Sequence, residues 1–300
     1  MPRRFGLPSV YAAAALATAV TTAAPVVASV VVPTAPAPAP GQPPRPYLVT
    51  AVDRAEARSL LADGRLRVRR YYTSALPGFA TWLTDDEAAV LRADSRVRAV
   101  EPDREVHALG LPPRRAPSST SPNGGGVTVY VLDTGVDVTR GTFGDRAWRA
   151  FDATGGQGRA CGGHGTRTAA LAAGGRHGAA PGARVASVKV LGCDRSGPLS
   201  DVVAGLDWVR GHARRPAVAV LAVDAARSPA VNAAARRLRR SGVLVVTSPL
   251  AAGTVARHLE SHPAPAPSTL ASWLKSTTAR DAIRQNPSRT PNLLLHGGGR

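Results

Sequence analysis

The sequence predicts an α/β fold that follows a smaller α+β module, and three observations lead to this prediction. An apolar, β-branched run from Val127 to Leu132 has the composition of a buried strand. An Ala-rich helical pattern over residues 168–173 follows a Gly-His-Gly-Thr sequence. The chain before Gly110 alternates short strand and helix patterns. Catalytic groups in α/β sheets gather where strands end, so we expect the functional site at the end of the 127–132 strand.

A carboxylate and an imidazole occupy the ends of two of these predicted elements. Asp133 ends the strand, and His164, between two glycines, opens the helix. Together they supply two members of an Asp/His/Ser charge relay, in that chain order. The alternative for His164 is a loop histidine with no partner.

Composition excludes little but argues against nucleic acid as a partner. The formal charge is +18, yet Lys189 and Lys275 are the only lysines, and the arginines are scattered without interleaved aromatic residues. With 44% apolar residues and only 4% aromatic residues, the core must consist of Ala, Val and Leu. No cofactor is expected, and no residue pattern justifies a named calcium ligand.

The first residues have the pattern of a secretory signal. Arg3 and Arg4 precede an apolar run over residues 10–32, with small residues around Ala28. The run is long enough for a membrane anchor, but Pro25 interrupts it, which favours cleavage. We therefore predict a signal peptide over residues 1–28, a secreted protein without stable membrane association, and a Pro-rich linker over residues 29–46.

Residues 47–110 predict a compact α+β module with a ferredoxin-like arrangement. Strand patterns cover residues 47–52, 65–72, 78–83 and 97–101, and helical patterns cover 55–64 and the stretch after Thr84, a candidate N-cap. The segments Tyr-Leu-Val, Tyr-Tyr-Thr-Ser-Ala-Leu-Pro-Gly-Phe-Ala and Asp-Ser-Arg-Val-Arg-Ala-Val-Glu-Pro-Asp resemble the inhibitor-type propeptide of subtilisin-like proteases. The alternative is an unrelated ferredoxin-like domain.

From Val127 onward the chain resembles a subtilisin-family serine protease of the proteinase K-like branch. Val-Leu-Asp-Thr-Gly matches the family's Asp motif, and Gly-His-Gly-Thr matches its His motif. The resemblance implies a parallel-sheet peptidase domain over residues 111–300. It also implies that Asp133 orients the imidazole and that His164 acts as general base and then as general acid.

The same resemblance suggests a substrate edge and a disulfide. Ser196 and Gly197 fall where the family lays substrate as an added strand. Cys161 and Cys193 are the only cysteines, and some members of this branch carry cysteines at these places. In a secreted chain the pair predicts a disulfide between the His loop and the substrate-edge loop, with two free buried thiols as the alternative.

The chain departs from the family pattern after residue 216. Residues 217–226 lack the glycine pair that lines the family's specificity pocket. Residues 249–263 match the helix that follows the nucleophile, which in the family has a Pro four residues after the catalytic Ser. Pro249 matches that Pro, but the residue four positions before it is Val245, which belongs to a strand pattern. A block that would hold the oxyanion Asn and the Gly-Thr-Ser nucleophile is therefore missing. Loss of strands in this block would leave an unpaired sheet edge.

Ser248 is the one local substitute for the nucleophile. It lies before Pro249 at a predicted helix N-terminus, where free backbone N–H groups can bind an oxyanion. The competing interpretation, which we favour, is that Ser248 serves only as an N-cap.

The sequence therefore predicts a secreted serine endopeptidase that uses Asp133, His164 and Ser248 on peptide or protein substrates and carries its own propeptide. The alternative is an inactive homologue that binds or inhibits proteases through residues 47–110. A third possibility is a decayed gene product that folds poorly.

Overall fold

The computed structural model describes residues 43–64, 66–113, 122–280 and 293–295. The predicted signal peptide and all but the last four residues of the predicted linker lie outside the described residues. The described residues belong to one compact unit. In the described part, no helix combines the length and apolarity that crossing a bilayer requires.

The N-terminal module, residues 45–102, is a four-stranded antiparallel sheet with two helices. Its strand order is β2-β3-β1-β4, which with the β-α-β-β-α-β chain order gives the predicted ferredoxin-like arrangement. Thr84 caps α2 as predicted, and Glu87 completes a capping box by accepting from the Thr84 N–H. The elements are β1 (Arg45–Ala51), α1 (Arg54–Ala62), β2 (Arg67–Tyr72), β3 (Gly78–Leu83), α2 (Asp85–Ala93) and β4 (Val97–Pro102).

The rest of the described chain is built on a five-stranded parallel sheet with the strand order β11-β10-β6-β8-β7. Strand β5 pairs with β9, and β12 pairs with β13, each antiparallel. The elements are β5 (Glu105–His107), β6 (Thr128–Asp133), β7 (Ala147–Asp152), α3 (His164–Ala173), β8 (Arg184–Lys189), β9 (Ser196–Pro198), α4 (Leu199–His212), β10 (Ala217–Leu221), α5 (Pro229–Arg240), β11 (Val243–Val246), α6 (Pro249–Ser261), α7 (Pro267–Ser276), β12 (Thr278–Arg280) and β13 (Leu293–Leu295).

Strand β6 lies in the middle of the parallel sheet and is buried along its whole length. Tyr130 and Leu132 face the layer formed by α4 and α5, whereas Val129 and Val131 face the layer formed by α3, α6 and α7. A strand covered by helices on both faces needs apolar side chains at every position, which explains the continuous run read from the sequence. The predicted strand over residues 127–132, the helix containing residues 168–173, the strand around Val245 and the helix that begins at Pro249 are confirmed.

The N-terminal module packs on the α4 and α5 side of the parallel sheet. Leu48 and Tyr72 are buried in the same apolar cluster as the side chains of these helices. The Tyr72 hydroxyl donates to the Ser200 carbonyl at 3.0 Å, and burial raises the pKa of this phenol. The module and the parallel sheet therefore share one core.

Strand β11 ends the parallel sheet. Among the described residues it pairs with β10 alone, and α7 packs against it. Only two residues separate β11 from α6, so the chain passes directly from the last strand into the helix that contacts α3. The sheet edge predicted from the missing block lies at β11.

Candidate active site

The Asp133 carboxylate lies at the carboxyl end of β6 and is fully buried. It accepts hydrogen bonds from the Thr134 N–H at 2.7 Å and from the Thr168 hydroxyl at 2.9 Å. His164 Nδ1 donates to it at 2.8 Å. A buried carboxylate is tolerated only when its oxygens are satisfied, and these three donors do so.

His164 is the first residue of α3, and glycines allow it to reach Asp133. Gly162 and Gly163 have φ values of 64° and 69°, which residues other than Gly rarely adopt. A Cβ atom on Gly165 would lie 2.4 Å from the Gly135 carbonyl oxygen, so α3 and the turn after β6 can approach this closely only with glycine. The backbone conformation before His164 and the close packing after it therefore both require glycine.

The other ring nitrogen of His164 faces a carbonyl. Nε2 lies 2.8 Å from the oxygen of Leu109. Carbonyl and carboxylate oxygens only accept, so the ring must donate from both nitrogens, as an imidazolium does. The hydrogen bond to Asp133 is the main cause that raises the pKa of His164, and burial opposes it.

Residues 105–109, the cleft segment, run through the site as a strand bonded on both sides. Val106 pairs with Gly197 and His107 with Ser196. Farther along, the Ala108 N–H donates to the Arg195 carbonyl and the Leu109 N–H to the Ala222 carbonyl. An added strand is the predicted mode of substrate binding at Ser196 and Gly197, and here the chain's own segment occupies that place.

Two side chains of the cleft segment differ in their surroundings. Val106 is fully buried in the shared core, whereas Leu109 is 37% exposed although its carbonyl faces His164. The Leu109 N–H donates to Ala222, and Ala108 forms a bridge with Val223, both just beyond β10. The segment is therefore anchored by the residue three positions before the carbonyl that faces His164.

Two carboxylates at and just after the end of β4 bind the N-termini of helices that flank the parallel sheet. Glu101 accepts from the Ala230 N–H of α5 at 2.8 Å, and Asp103 accepts from the Ser200 N–H of α4, also at 2.8 Å. Both contacts place negative charge at a helix N-terminus, where the helix dipole favours it. Sequence reasoning did not assign these roles, although both residues belong to the segment that carries the propeptide resemblance.

The predicted disulfide joins Cys161 and Cys193, whose Cα atoms are 4.9 Å apart. It links the loop before α3 to the loop before β9. The Lys189 ammonium donates to the Thr134 carbonyl at 2.8 Å beside this bridge, and burial lowers its pKa. The disulfide and Lys189 together fix the turn that carries Asp133.

Ser248 is not brought to the Asp133–His164 pair. It is the N-cap of α6, and its hydroxyl accepts from the Ala251 N–H at 3.4 Å. Within the described ranges, the polar partners of the His164 ring are Asp133 and Leu109. The N-cap interpretation of Ser248 agrees with this geometry, and its catalytic role stays a prediction.

Comparison with known proteins finds two families in the chain. Residues 124–248 match the subtilase family, and residues 48–109 match peptidase inhibitor I9. Extracellular serine proteinase from Thermus sp. (strain Rt41A) is 35% identical over 263 residues, which cover 81% of this chain and 63% of that protein. Subtilisin-like serine protease Pen ch 13 of Penicillium rubens is 34% identical over 237 residues, which cover 71% of this chain and 59% of that protein. The chain thus spans less than two thirds of the length of these relatives.

The fold has counterparts among solved structures. Fervidolysin from Fervidobacterium pennivorans, a keratinolytic enzyme related to subtilisin, aligns with a TM-score of 0.66 at 15% identity. The alignment covers 86% of this chain and 61% of that one. This similarity establishes the subtilisin-like α/β fold.

Proposed function

Since residues 124–248 belong to the subtilase family and residues 48–109 to the peptidase inhibitor I9 family, we propose that the chain is a subtilisin-type serine peptidase that holds its own inhibitor segment in its substrate cleft. One observation supports this above all others: the cleft segment is bonded on both edges and presents the Leu109 carbonyl to His164 Nε2 at 2.8 Å. An extended peptide in this position is oriented as a substrate would be.

In the proposed reaction, Asp133 holds His164 and stabilises its protonated form. Once the cleft segment has left, the neutral ring accepts a proton from the attacking hydroxyl as a bond forms between that oxygen and the substrate carbonyl carbon. The same proton then passes to the leaving amine as the peptide bond breaks. Water hydrolyses the acyl-enzyme in the second half of the cycle.

Ser248 is the proposed nucleophile, and a fluorophosphonate label tests it. The full chain is incubated with the reagent and the adduct is located by peptide mass spectrometry. The proposal expects an adduct on Ser248 that disappears in His164→Ala. The Val106→Asp variant is labelled in parallel, because a charge at this buried position displaces the cleft segment. A folded Val106→Asp chain without an adduct rules Ser248 out.

The second candidate function is protease binding without hydrolysis. It is favoured by the Ser248 hydroxyl, which caps its own helix. In this case the full chain inhibits an active subtilisin-type peptidase stoichiometrically through its N-terminal module, and no fluorophosphonate adduct forms. Absence of inhibition at a large molar excess of the chain eliminates this candidate.

We also propose that the chain acts outside the cell and is processed after Leu109. The signal-like N-terminus, the disulfide and the relative named as an extracellular proteinase support the location. The peptide bond after the carbonyl that faces His164 joins Leu109 to Gly110. N-terminal sequencing of protein from the culture medium is expected to find Gly110 first; protein retained in the cells contradicts the location.

A further inference from the structure

A cavity lies at the seam between the N-terminal module and α5, away from the Asp133–His164 pair. Its volume is about 120 Å³, and four arginines line it. Arg98 comes from β4 of the module, and Arg236, Arg237 and Arg240 come from α5. The remaining walls are small or apolar, so the polar surface of the cavity is dominated by guanidinium groups.

These arginines lack carboxylate partners. None of the four forms an ion pair or a side-chain hydrogen bond among the described residues, and Arg54 and Arg210 add further positive charge nearby. The pKa of Arg237 is lowered by burial and then by repulsion from these neighbours. The Nε atom of Arg210 is buried without a hydrogen-bond partner in the described part of the chain.

Two other arginines of the N-terminal module are paired where the module meets α4. Arg69 lies 3.4 Å from Asp103, and Arg70 lies 2.9 Å from Asp201. Guanidinium groups placed side by side, with Arg237 half-buried among them, repel one another unless a counter-charge accompanies them. The cavity therefore collects guanidinium groups without the carboxylates that accompany Arg69 and Arg70.

We propose that this cavity binds a tetrahedral oxyanion, a phosphate or sulfate group, which joins the N-terminal module to α5. Guanidinium groups suit this ligand, because their planar N–H donors bind phosphate-type oxygens in pairs. The cavity has room for one such group. Because its walls come from both modules, an anion that binds only the assembled seam stabilises the docked module by mass action.

Isothermal titration of the full chain with sodium phosphate, and separately with sodium sulfate, tests the proposal at constant ionic strength. We expect saturable binding of one anion per chain, and the two titrations distinguish phosphate from sulfate as the preferred group. Arg98→Ala and Arg236→Ala, both at exposed positions, are each expected to weaken binding about ten-fold through the loss of a charged hydrogen bond.

Arg239→Ala is the matched control. Arg239 is an exposed arginine on the same helix that does not line this cavity, and its removal lowers the net charge equally. Phosphate and sulfate also stabilise proteins without binding a site, but that effect does not saturate and is the same in all variants. Non-saturable heats, or equal weakening by Arg239→Ala, overturn the proposal.

A charge replacement offers a second test that does not depend on affinity. Arg98→Asp places a carboxylate in the cavity beside the α5 arginines. This variant is expected to unfold at a higher temperature than wild type in chloride buffer. When phosphate is added, it is expected to show only the non-saturable rise that all variants share. A phosphate response equal to that of wild type contradicts the site.

Discussion

The middle and the edge of the parallel sheet differ in how completely they build a site. Around β6, the strand, the glycine turns and α3 bring a carboxylate and an imidazole within 2.8 Å of each other. At β11, the sheet stops, and Ser248 caps the helix that follows without contact to that pair in the described structure. The Asp–His pair depends on elements that lie next to each other, whereas Ser248 follows an edge strand that β10 separates from β6.

A second contrast lies within the cleft segment. Val106 is fully buried, and Leu109, whose carbonyl faces His164, is partly exposed. Val106 packs into the core that the module shares with α4 and α5, whereas Leu109 lies beside residues 217–226, which depart from the family pattern. The structure therefore holds the backbone of the cleft segment more firmly than it surrounds the Leu109 side chain.

The largest expected effect comes from Asp133→Asn. It leaves a buried imidazolium without its counter-charge, so we expect the free energy of unfolding to fall by about 3–5 kcal/mol. Hydrolysis of a peptide substrate, if Ser248 is the nucleophile, is expected to fall by about four orders of magnitude. Asp137→Asn, a carboxylate with a half-exposed side chain that does not touch His164, is the control for denaturant melts and rates. Equal losses in both variants contradict a special role for Asp133.

The next effect concerns the disulfide. Replacing both Cys161 and Cys193 by Ser opens the loop between them, which has a sequence separation of 32. Loop entropy predicts that the free energy of unfolding falls by about 3–4 kcal/mol. Reduction of the wild-type protein should cause a similar loss in chemical unfolding. A double variant as stable as wild type indicates that the loops around the bridge are fixed by other contacts, such as the Lys189 hydrogen bond.

Substitutions in the cleft segment test the contrast between its two side chains. Val106→Ala removes fully buried methyl groups and is expected to destabilise the chain by about 2 kcal/mol. Leu109→Ala acts on a partly exposed side chain and should cost less than about 0.5 kcal/mol. Thermal melts under the same conditions compare the two. A larger destabilisation by Leu109→Ala than by Val106→Ala means that the cleft segment is anchored at Leu109 instead.

The smallest expected effect is on pH dependence. The pKa of His164 is raised in the folded chain, so its contribution to stability is fully present below the unfolded value of about 6.5. That contribution is lost as the pH rises through the folded pKa. The difference in unfolding free energy between wild type and His164→Gln should therefore shrink from pH 6 upward. A difference that stays constant or grows with pH contradicts a protonated His164 ring.

Much of this architecture follows from local sequence signals. The apolar run before Asp133 predicts β6 because a central strand is covered on both faces, and Thr84 as a candidate N-cap predicts the start of α2. The Gly-His-Gly-Thr sequence predicts that His164 opens a helix. Each of these signals acts within a few residues, so the sequence shows it directly.

Contacts between the modules are not predictable in this way. Glu101 and Asp103 are ordinary surface carboxylates until docking places them at the N-termini of α5 and α4. The partial exposure of Leu109 depends on a strand more than a hundred residues away in the chain. The role of Ser248 also depends on a distance across the sheet, about which the Thr-Ser-Pro sequence carries no information.

Hydrogen exchange at the cleft segment is the most direct test of the central claim that the chain occupies its own substrate cleft. The Ala108 and Leu109 amides donate across the cleft at 2.9 and 2.8 Å. We predict that they exchange as slowly as the amides of β6 when the full chain is measured by NMR or mass spectrometry. Exchange of both amides at the rate of an unstructured peptide, while β6 stays protected, would contradict the account.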